Sequence, residues 1–365
     1  MSGIDPADRR WLDAAARLAI PYLGTTGDRP TVGAIIVDEA LHLVFGRGVT
    51  ARGGSPGGIV QALAEARTSA RGRTLFTTLE PGTAWRRSPP VADAVIAAGV
   101  SRVVVGIEDP ERDAAGRGIA RLRAAGIEAV LADHLPSRIL HEGYVSRHRR
   151  ERPFVAVRLA VSRDGKVGLP DRGRALPLAP EAERWVQVKR ARCDAVMIGA
   201  RAARLEDPDL MLRIKGLGDG NYMRIVVAGA EALDSRLNLI AWVSGYPTGV
   251  VTEIGRNLAL PPTVQVIEVP ARKGRLDLRH CLRELAGRGV GKVLVEGGAR
   301  LSESLLAGEL VDRFHLIESP IEVGRRGVPA TALGGIDGRL RAAGFIEVDR
   351  RSLGADKLRT FEREF

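Results

Sequence analysis

The segment 91–107 decides the fold of the first half of the chain; it consists of Val-Ala-Asp-Ala-Val-Ile-Ala-Ala-Gly-Val-Ser-Arg-Val-Val-Val-Gly-Ile. The small and apolar residues of 91–98 predict a helix, and Gly99 predicts its end. The branched apolar residues of 102–107 predict a buried strand directly after it. A helix followed by a buried strand is typical of α/β architecture.

The same alternation extends outward from this segment. A strand over 74–78 precedes it, and a helix over 119–125 and a strand over 127–131 follow it. Alternating strands and helices at this spacing predict a mostly parallel sheet covered by helices on both faces. The other elements predicted in this half are a helix, two paired strands and a second helix, over 8–23, 31–37, 41–45 and 60–70.

A second α/β domain is predicted after the basic run Arg-His-Arg-Arg-Glu-Arg at 147–152. This run is more typical of a solvated linker than of a nucleic-acid surface. We therefore predict domains over 1–146 and 154–365, joined by a basic linker over 147–153. Strands of the second domain are predicted over 154–162, 195–198, 223–227, 249–252, 264–269, 292–295, 311–318 and within 344–365, and helices over 180–192, 276–287 and 301–307.

The composition limits the class of protein. A chain of 365 residues with 45% hydrophobic residues can bury two ordinary cores. It contains no long apolar run or signal-peptide pattern, and its two cysteines, Cys193 and Cys281, lie far apart. We therefore expect a cytoplasmic protein with no membrane partner.

The formal net charge of +11 raises the question of nucleic-acid binding. Basic residues are spread along the chain, and aromatic residues are only 4%. Nucleic-acid modules cluster their basic residues and interleave aromatic ones, so we expect no nucleic-acid partner. The positive charge instead favours encounters with phosphorylated small molecules.

Two segments match the framework of a zinc nucleobase deaminase without its reactive groups. Such enzymes carry H-x-E, then P-C and a second Cys, which supply three zinc ligands and a proton-transferring Glu. Here Gly57 occupies the His position, Ile59 the Glu position, and Gly82 and Val91 the Cys positions. None of these side chains can bind a metal or transfer a proton, so we predict no zinc and no deamination.

The segments around these positions resemble the bifunctional deaminase/reductase family of riboflavin biosynthesis. In that family a zinc deaminase is fused to a reductase, and the resemblance here covers nearly the whole chain. It implies a cytidine-deaminase-like three-layer domain followed by a dihydrofolate-reductase-like α/β domain, and a homodimer formed through the latter. The segments that carry the resemblance are 31–37, 78–81, 97–106, 109–110, 116–118, 152–155, 160–165, 194–195, 206–210 and 295–298.

The strongest candidate site is the Val-Glu-Gly-Gly segment at 295–298, where a strand is predicted to enter a helix. Two glycines allow a phosphate to approach the backbone N–H groups of a helix N-terminus. A bare Gly-Gly turn is more often structural, but its place in the family order favours a site. The resemblance implies that Gly297 and Gly298 contact NADPH, together with Ala160, Gly199 and Glu206.

A second candidate group is predicted to hold the substrate. Guanidinium groups bind phosphate through paired, charge-assisted hydrogen bonds. The resemblance implies that Arg190 and Arg213 hold a sugar phosphate, and that Glu296 reaches the substrate. It makes Glu296 and Asp207 the candidate catalytic residues. Leu210 and Arg174 complete the predicted substrate site.

Several positions depart from the family pattern. These are Arg158 for Lys, Ala202 for Thr, Leu176 for Trp, Arg174 for Ser, and Ala228 with Gly229 for an Asp-Ser pair. The leading hypothesis is an NADPH-dependent reductase of a phosphorylated ribosylaminopyrimidine with a vestigial deaminase domain. The alternatives are a reductase of a related pterin or pyrimidine intermediate, and a non-catalytic ligand-binding or scaffold protein.

Overall fold

The computed structural model describes residues 4–85, 89–170, 176–214, 216, 222–229, 231, 233–241, 245–331 and 335–363. It forms two compact units, Met1–Glu151 and Arg152–Phe365. Within the described part of the chain, no helix is long and apolar enough to cross a membrane.

The first unit is an α/β sandwich. Its helices are α1 Pro6–Ala19, α2 Gly58–Ala66, α3 Val91–Ala98, α4 Arg117–Ala124, α5 Leu135–Leu140 and α6 Glu142–Arg150. Its strands are β1 Gly33–Asp38, β2 Leu43–Val49, β3 Thr74–Thr77, β4 Arg102–Val105 and β5 Glu128–Leu131, in the sheet order β2–β1–β3–β4–β5. The sheet is mixed, because β1 pairs antiparallel with both neighbours while β3, β4 and β5 run parallel. The prediction of a mostly parallel sheet is therefore wrong, because two of its strand pairs are parallel and two are antiparallel.

Side-chain alternation along β1 produces the layers of this unit. Ala34 and Ile36 point into the core that α2, α3 and α4 cover, whereas Ile35 and Val37 point into the core beneath α1. Successive strand residues face opposite sides of a sheet, so a fully apolar strand must be covered on both faces. The predicted three-layer arrangement is confirmed.

The boundary between the units differs from the predicted linker over 147–153. Residues 147–150 form the last turn of α6, and the division falls after Glu151, which has a positive φ of 54°. Basic residues in the last turn of a helix interact favourably with its C-terminal dipole, so this charged run is compatible with a helix end. Residues 147–150 are therefore helical, and the predicted domain bounds stay a prediction.

The second unit has a larger α/β sheet. Its helices are α7 Pro180–Ala191, α8 Ala200–Glu206, α9 Asn238–Ala241, α10 Leu278–Gly287, α11 Ala299–Ala307 and α12 Gly335–Ala342. Its strands are β6 Phe154–Val161, β7 Ala195–Gly199, β8 Met223–Gly229, β9 Thr248–Glu253, β10 Val264–Val269, β11 Ala271–Arg272, β12 Arg275–Leu276, β13 Lys292–Val295, β14 Arg313–Glu318, β15 Phe345–Leu353 and β16 Asp356–Arg363.

The topology of this sheet brings three predicted site segments to one edge. The strand order is β10–β9–β8–β7–β13–β6–β14–β16–β15, and β13 runs parallel to both β7 and β6. The strands from β10 to β14 are parallel, and the last two pairs are antiparallel. Since parallel strands end on the same side, the residues that follow β6, β7 and β13 lie together.

Candidate active site in the second unit

A cavity of about 230 Å³ lies at the carboxyl ends of β6, β7 and β13. This is where open α/β sheets bind ligands, since the strand ends and helix N-termini converge there. Most of the predicted site residues line it: Ala160, Arg190, Gly199, Glu206, Leu210, Glu296, Gly297 and Gly298. Residues separated by more than a hundred positions in the sequence thus share one cavity.

Glu296 is the electrostatic centre of the cavity. Its carboxylate is buried and accepts hydrogen bonds from Nη2 and Nε of Arg190, the first at 2.9 Å, and from Nη2 of Arg158. Burial opposes ionisation, but Arg190 and Arg158 outweigh it and hold the pKa of Glu296 at about 2. Glu296 is therefore a fixed anion at neutral pH.

Arg158 contributes a second charge and an open donor. Its side chain is mostly buried, and its Nε is buried with no hydrogen-bond partner. Two guanidinium groups around one carboxylate leave a net positive charge, which suits an anionic ligand. An unsatisfied buried N–H is costly, so a ligand acceptor at this position would be favourable.

Gly298 leaves room at the start of α11. Its φ of −73° and ψ of 176° are open to any residue, and a Cβ added there would meet nothing within 4 Å. A Cβ on Gly297 would instead lie 3.2 Å from the Cβ of Leu301. Because Gly298 has no side chain, a phosphate can approach the N-terminus of α11 closely.

Asp207 and Arg213 are not among the described residues that line the cavity. Oδ1 of Asp207 accepts a hydrogen bond from the backbone N of Asn238 at 2.7 Å, and Oδ2 accepts one from Asn238 Nδ2 at 2.9 Å. Arg213 donates to Oδ2 of Asp209 at 2.6 Å, and its side chain is 66% exposed. A catalytic role for Asp207 stays a prediction; its contacts favour holding the loop that contains it.

The positions that depart from the family pattern have different locations. Ala202 and Arg158 line the cavity, whereas Leu176 and Ala228 are buried. The predicted substrate residue Arg174 lies outside the described residues.

The cavity residues that were not predicted include two arginines, Arg201 and Arg300. Each is the second residue of a helix that follows a glycine, α8 and α11 respectively. A basic residue in the first turn opposes the helix dipole, and this unfavourable placement could have identified both from the sequence.

Of the four deaminase-like positions in the first unit, two hold apolar residues that pack in the core and two hold glycines. Ile59 is 5% exposed within the core that α2 and α3 share, and Val91 begins α3 and packs against that core. Gly57 precedes α2, and a Cβ on either Gly57 or Gly82 would meet nothing within 4 Å. The residues that the structure describes include no group of three or more His, Cys, Asp or Glu able to hold a metal.

The nearby Glu80 has a structural role in the first unit. Its carboxylate accepts hydrogen bonds from the backbone N–H groups of Asp109, Gly116 and Ile119, each at 3.0 Å. Three such bonds satisfy a buried carboxylate and join the loop between β4 and α4, and the first turn of α4, to the segment that follows β3.

Comparison with known proteins agrees with this architecture. The family model described as the RibD C-terminal domain matches residues 153–353. The riboflavin biosynthesis protein RibD of Synechocystis is 31% identical over 361 residues, which cover 97% of this chain and 96% of that protein. The Escherichia coli RibD is 29% identical and covers 96% of this chain and 97% of its own length.

Solved structures give the same result over both units. Acinetobacter baumannii RibD, form 1, has a TM-score of 0.87 at 26% identity and covers 98% of this chain and 99% of that chain. A Thermotoga maritima diaminohydroxyphosphoribosylaminopyrimidine deaminase/5-amino-6-(5-phosphoribosylamino)uracil reductase has a TM-score of 0.85 at 25% identity, with coverage of 98% and 99%. The predicted fold, a cytidine-deaminase-like domain followed by a dihydrofolate-reductase-like domain, is confirmed. This chain therefore belongs to the RibD family of riboflavin biosynthesis proteins.

Proposed function

We propose that the second unit is an NADPH-dependent reductase and that the first unit has lost deamination. In the proposed reaction a phosphorylated ribosylaminopyrimidine receives hydride from NADPH at C1 of the ribose, the bond between C1 and the ring oxygen breaks, and that oxygen takes a proton from solvent, which gives a ribityl chain and NADP+. The observation that carries the proposal is the positively charged cavity around Glu296, beside an open glycine turn. A cytoplasmic homodimer formed through the second unit is part of the same proposal.

The charge of the cavity supports a phosphorylated substrate. Arg190 is largely buried; burial opposes its charge, but the contact with Glu296 raises its pKa, so the guanidinium stays charged. Glu296 holds Arg190 and Arg158 in place, so the donors are oriented before a ligand arrives. The carboxylate itself donates no proton at neutral pH, because it is ionised.

The glycine turn supports a nicotinamide dinucleotide. The open space at Gly298 and the N-terminus of α11 fit a pyrophosphate, with Gly297, Ala299 and Arg300 at the same wall. When bound, NADPH supplies the hydride, and the protein contributes orientation and electrostatics. Glu206 and Ala160 line the same cavity and are proposed to contact this cofactor.

The departures at Arg158 and Ala202 favour a second candidate substrate. Both line the cavity, so they alter the surface that a ligand meets. A reductase of a related pterin or pyrimidine intermediate is therefore the second candidate.

The test is NADPH oxidation, measured by absorbance, with 5-amino-6-(5-phosphoribosylamino)uracil. Turnover of this substrate supports the proposal. Turnover of a pterin alone would select the second candidate. A protein that turns over no substrate and does not bind NADPH would be a scaffold protein.

We predict that the first unit binds no stoichiometric zinc. The four deaminase-like positions hold Gly57, Ile59, Gly82 and Val91, none of which offers a metal ligand or a titratable group. Elemental analysis of protein purified with added zinc should give much less than one zinc per chain. Zinc that is released when the first unit is unfolded would contradict the prediction, as would pyrimidine deamination.

We predict that Arg213→Ala weakens binding of the phosphorylated substrate by about ten- to a hundredfold, because a charge-assisted bond contributes about 1.5–3 kcal/mol. The side chain is exposed and bound to Asp209, so it can exchange that partner for a phosphate. The effect should disappear for the dephosphorylated substrate. Arg236→Ala is the matched control, because Arg236 is an exposed arginine paired with Asp234. Equal losses for both substrates would indicate a packing role instead.

A further inference from the structure

The loop between α8 and β8 has a strained backbone next to the cavity. Asp207 and Leu210 have positive φ values of 40° and 53°, and neither is a glycine. Side chains of such residues crowd the backbone in this conformation, so surrounding contacts must hold it. Pro208 and Leu210 line the cavity, so the shape of this wall depends on those contacts.

A buried arginine supplies the central contact. Arg224, the second residue of β8, has no exposed surface. Its Nη1 donates to the carbonyl oxygen of Asp209 at 3.0 Å, and its Nη2 donates to Oγ1 of Thr248 at 2.7 Å. The guanidinium also lies 5.5 Å from the ring centre of Tyr246. A single side chain thus joins the cavity loop to two strands of the sheet.

Two tyrosines hold the adjacent residues of the loop. The Tyr222 hydroxyl donates to the carbonyl oxygen of Leu210, and the Tyr246 hydroxyl accepts from the backbone N of Leu212 at 3.2 Å. The two rings pack edge to face with centres 5.2 Å apart. Both tyrosines are buried and pack against each other, so with Arg224 they hold the loop at three positions, 209, 210 and 212.

The same contacts extend to Arg213, the residue that is proposed to bind the substrate phosphate. Oδ2 of Asp209 accepts from Arg213, and the carbonyl of the same Asp209 accepts from Arg224. The backbone N of Arg213 also donates to Oε1 of Gln187 at 2.9 Å. The position of the Arg213 guanidinium therefore depends on a loop that Arg224 holds.

Burial of the Arg224 guanidinium costs desolvation free energy, which an apolar side chain filling the same space would not cost. Desolvation lowers its pKa, and its hydrogen bonds to Asp209 and Thr248 go to neutral oxygens. A buried guanidinium is unfavourable compared with an apolar side chain of similar volume. Its contribution is geometric, since no apolar side chain can bind the loop carbonyl and the strand together.

We propose that Arg224, with Tyr222 and Tyr246, is a positioning residue that holds the loop 207–213 against the cavity and so sets affinity for the phosphorylated substrate. This proposal rests on the proposed function for its kinetic readout. It assigns to Arg224 no contact with the substrate or the cofactor. Its effect should therefore appear in KM for the substrate and not in NADPH binding.

The test compares two arginines that are each replaced by lysine, the fully buried Arg224 and the mostly buried Arg152. Arg224→Lys keeps the charge but cannot reach both Asp209 and Thr248. We expect KM for 5-amino-6-(5-phosphoribosylamino)uracil to rise about tenfold and kcat to change less than about threefold, because the chemical groups remain. The control Arg152→Lys alters a buried ion pair with Asp312 near the amino end of β6, away from the cavity. It should leave KM unchanged.

Two further measurements keep the proposal testable if a variant folds poorly or no substrate turns over. Tyr222→Phe removes one donor and retains the packing, and it should raise KM by about threefold. Backbone amide hydrogen exchange over 207–213 should accelerate about tenfold in Arg224→Lys and not in Arg152→Lys. Unchanged KM in both loop variants, or unchanged exchange in this segment, would overturn the proposal. A parent protein that neither reduces the substrate nor binds ribose 5-phosphate would count against the proposed function, and the exchange result would still decide the role of Arg224.

Discussion

Glu296→Ala will lower the free energy of unfolding of the second unit by about 3–5 kcal/mol and abolish reduction, because it leaves two buried guanidinium groups without their shared anion. Arg190 and Arg158 both donate to this carboxylate, and their side chains are 11% and 15% exposed. Chemical denaturation measured by circular dichroism will give the free energy. Glu284→Ala is the control, because Glu284 and its partner Arg288 are 41% and 39% exposed, and such exposed pairs contribute at most about 1 kcal/mol.

The pH dependence of Glu296→Gln provides a second measurement on the same group. The pKa of Glu296 in the folded protein is lowered from 4.5 to about 2, so its contribution to stability is present above 4.5 and is lost as the pH falls towards 2. Glutamine cannot ionise, so the stability difference between parent and variant should shrink over that range. The linkage relation requires the stability difference to fall over this interval of about three pH units. A difference that stays constant between pH 5 and pH 2 would show that the carboxylate is not the anion that the two arginines require.

Gly298→Val will weaken NADPH binding by about a hundredfold or more, since a branched side chain would fill the space that a pyrophosphate needs. The backbone conformation at 298 permits valine, and the new Cβ meets no atom within 4 Å, so the fold should be retained. Fluorescence titration with NADPH will give the dissociation constants, and thermal unfolding will verify folding.

A matched glycine in the first unit serves as the control. Gly57 also precedes a helix, with a φ of −72° and a ψ of 157°, and a Cβ there meets nothing within 4 Å. Gly57→Val should leave NADPH affinity unchanged. Equal NADPH affinity for Gly298→Val and the parent would mean that the cofactor does not use this turn.

Local sequence patterns predicted most of the elements. The helix over 91–98 and the strands 264–269 and 292–295 have the predicted bounds, because strong periodicity and a glycine or turn residue define both ends. The helices α5, α6, α8, α9 and α12 were not predicted. They are short or highly charged, and their packing within each unit, not their periodicity, stabilises them.

The sequence by itself determined the α/β class, the two-domain order and the absence of metal-binding groups at the four deaminase-like positions, because each depends on residue type at a known spacing. It could not determine that Arg158 and Arg190 both bind the carboxylate of Glu296, which lies 138 and 106 residues further along the chain. That meeting depends on β13 lying parallel to β6 in the sheet. The positions of Asp207 and Arg213 likewise depend on the side chains of Asn238 and Asp209, which bind them. A side chain's neighbours are set by long-range strand pairing and loop packing, which a local pattern of residues does not contain.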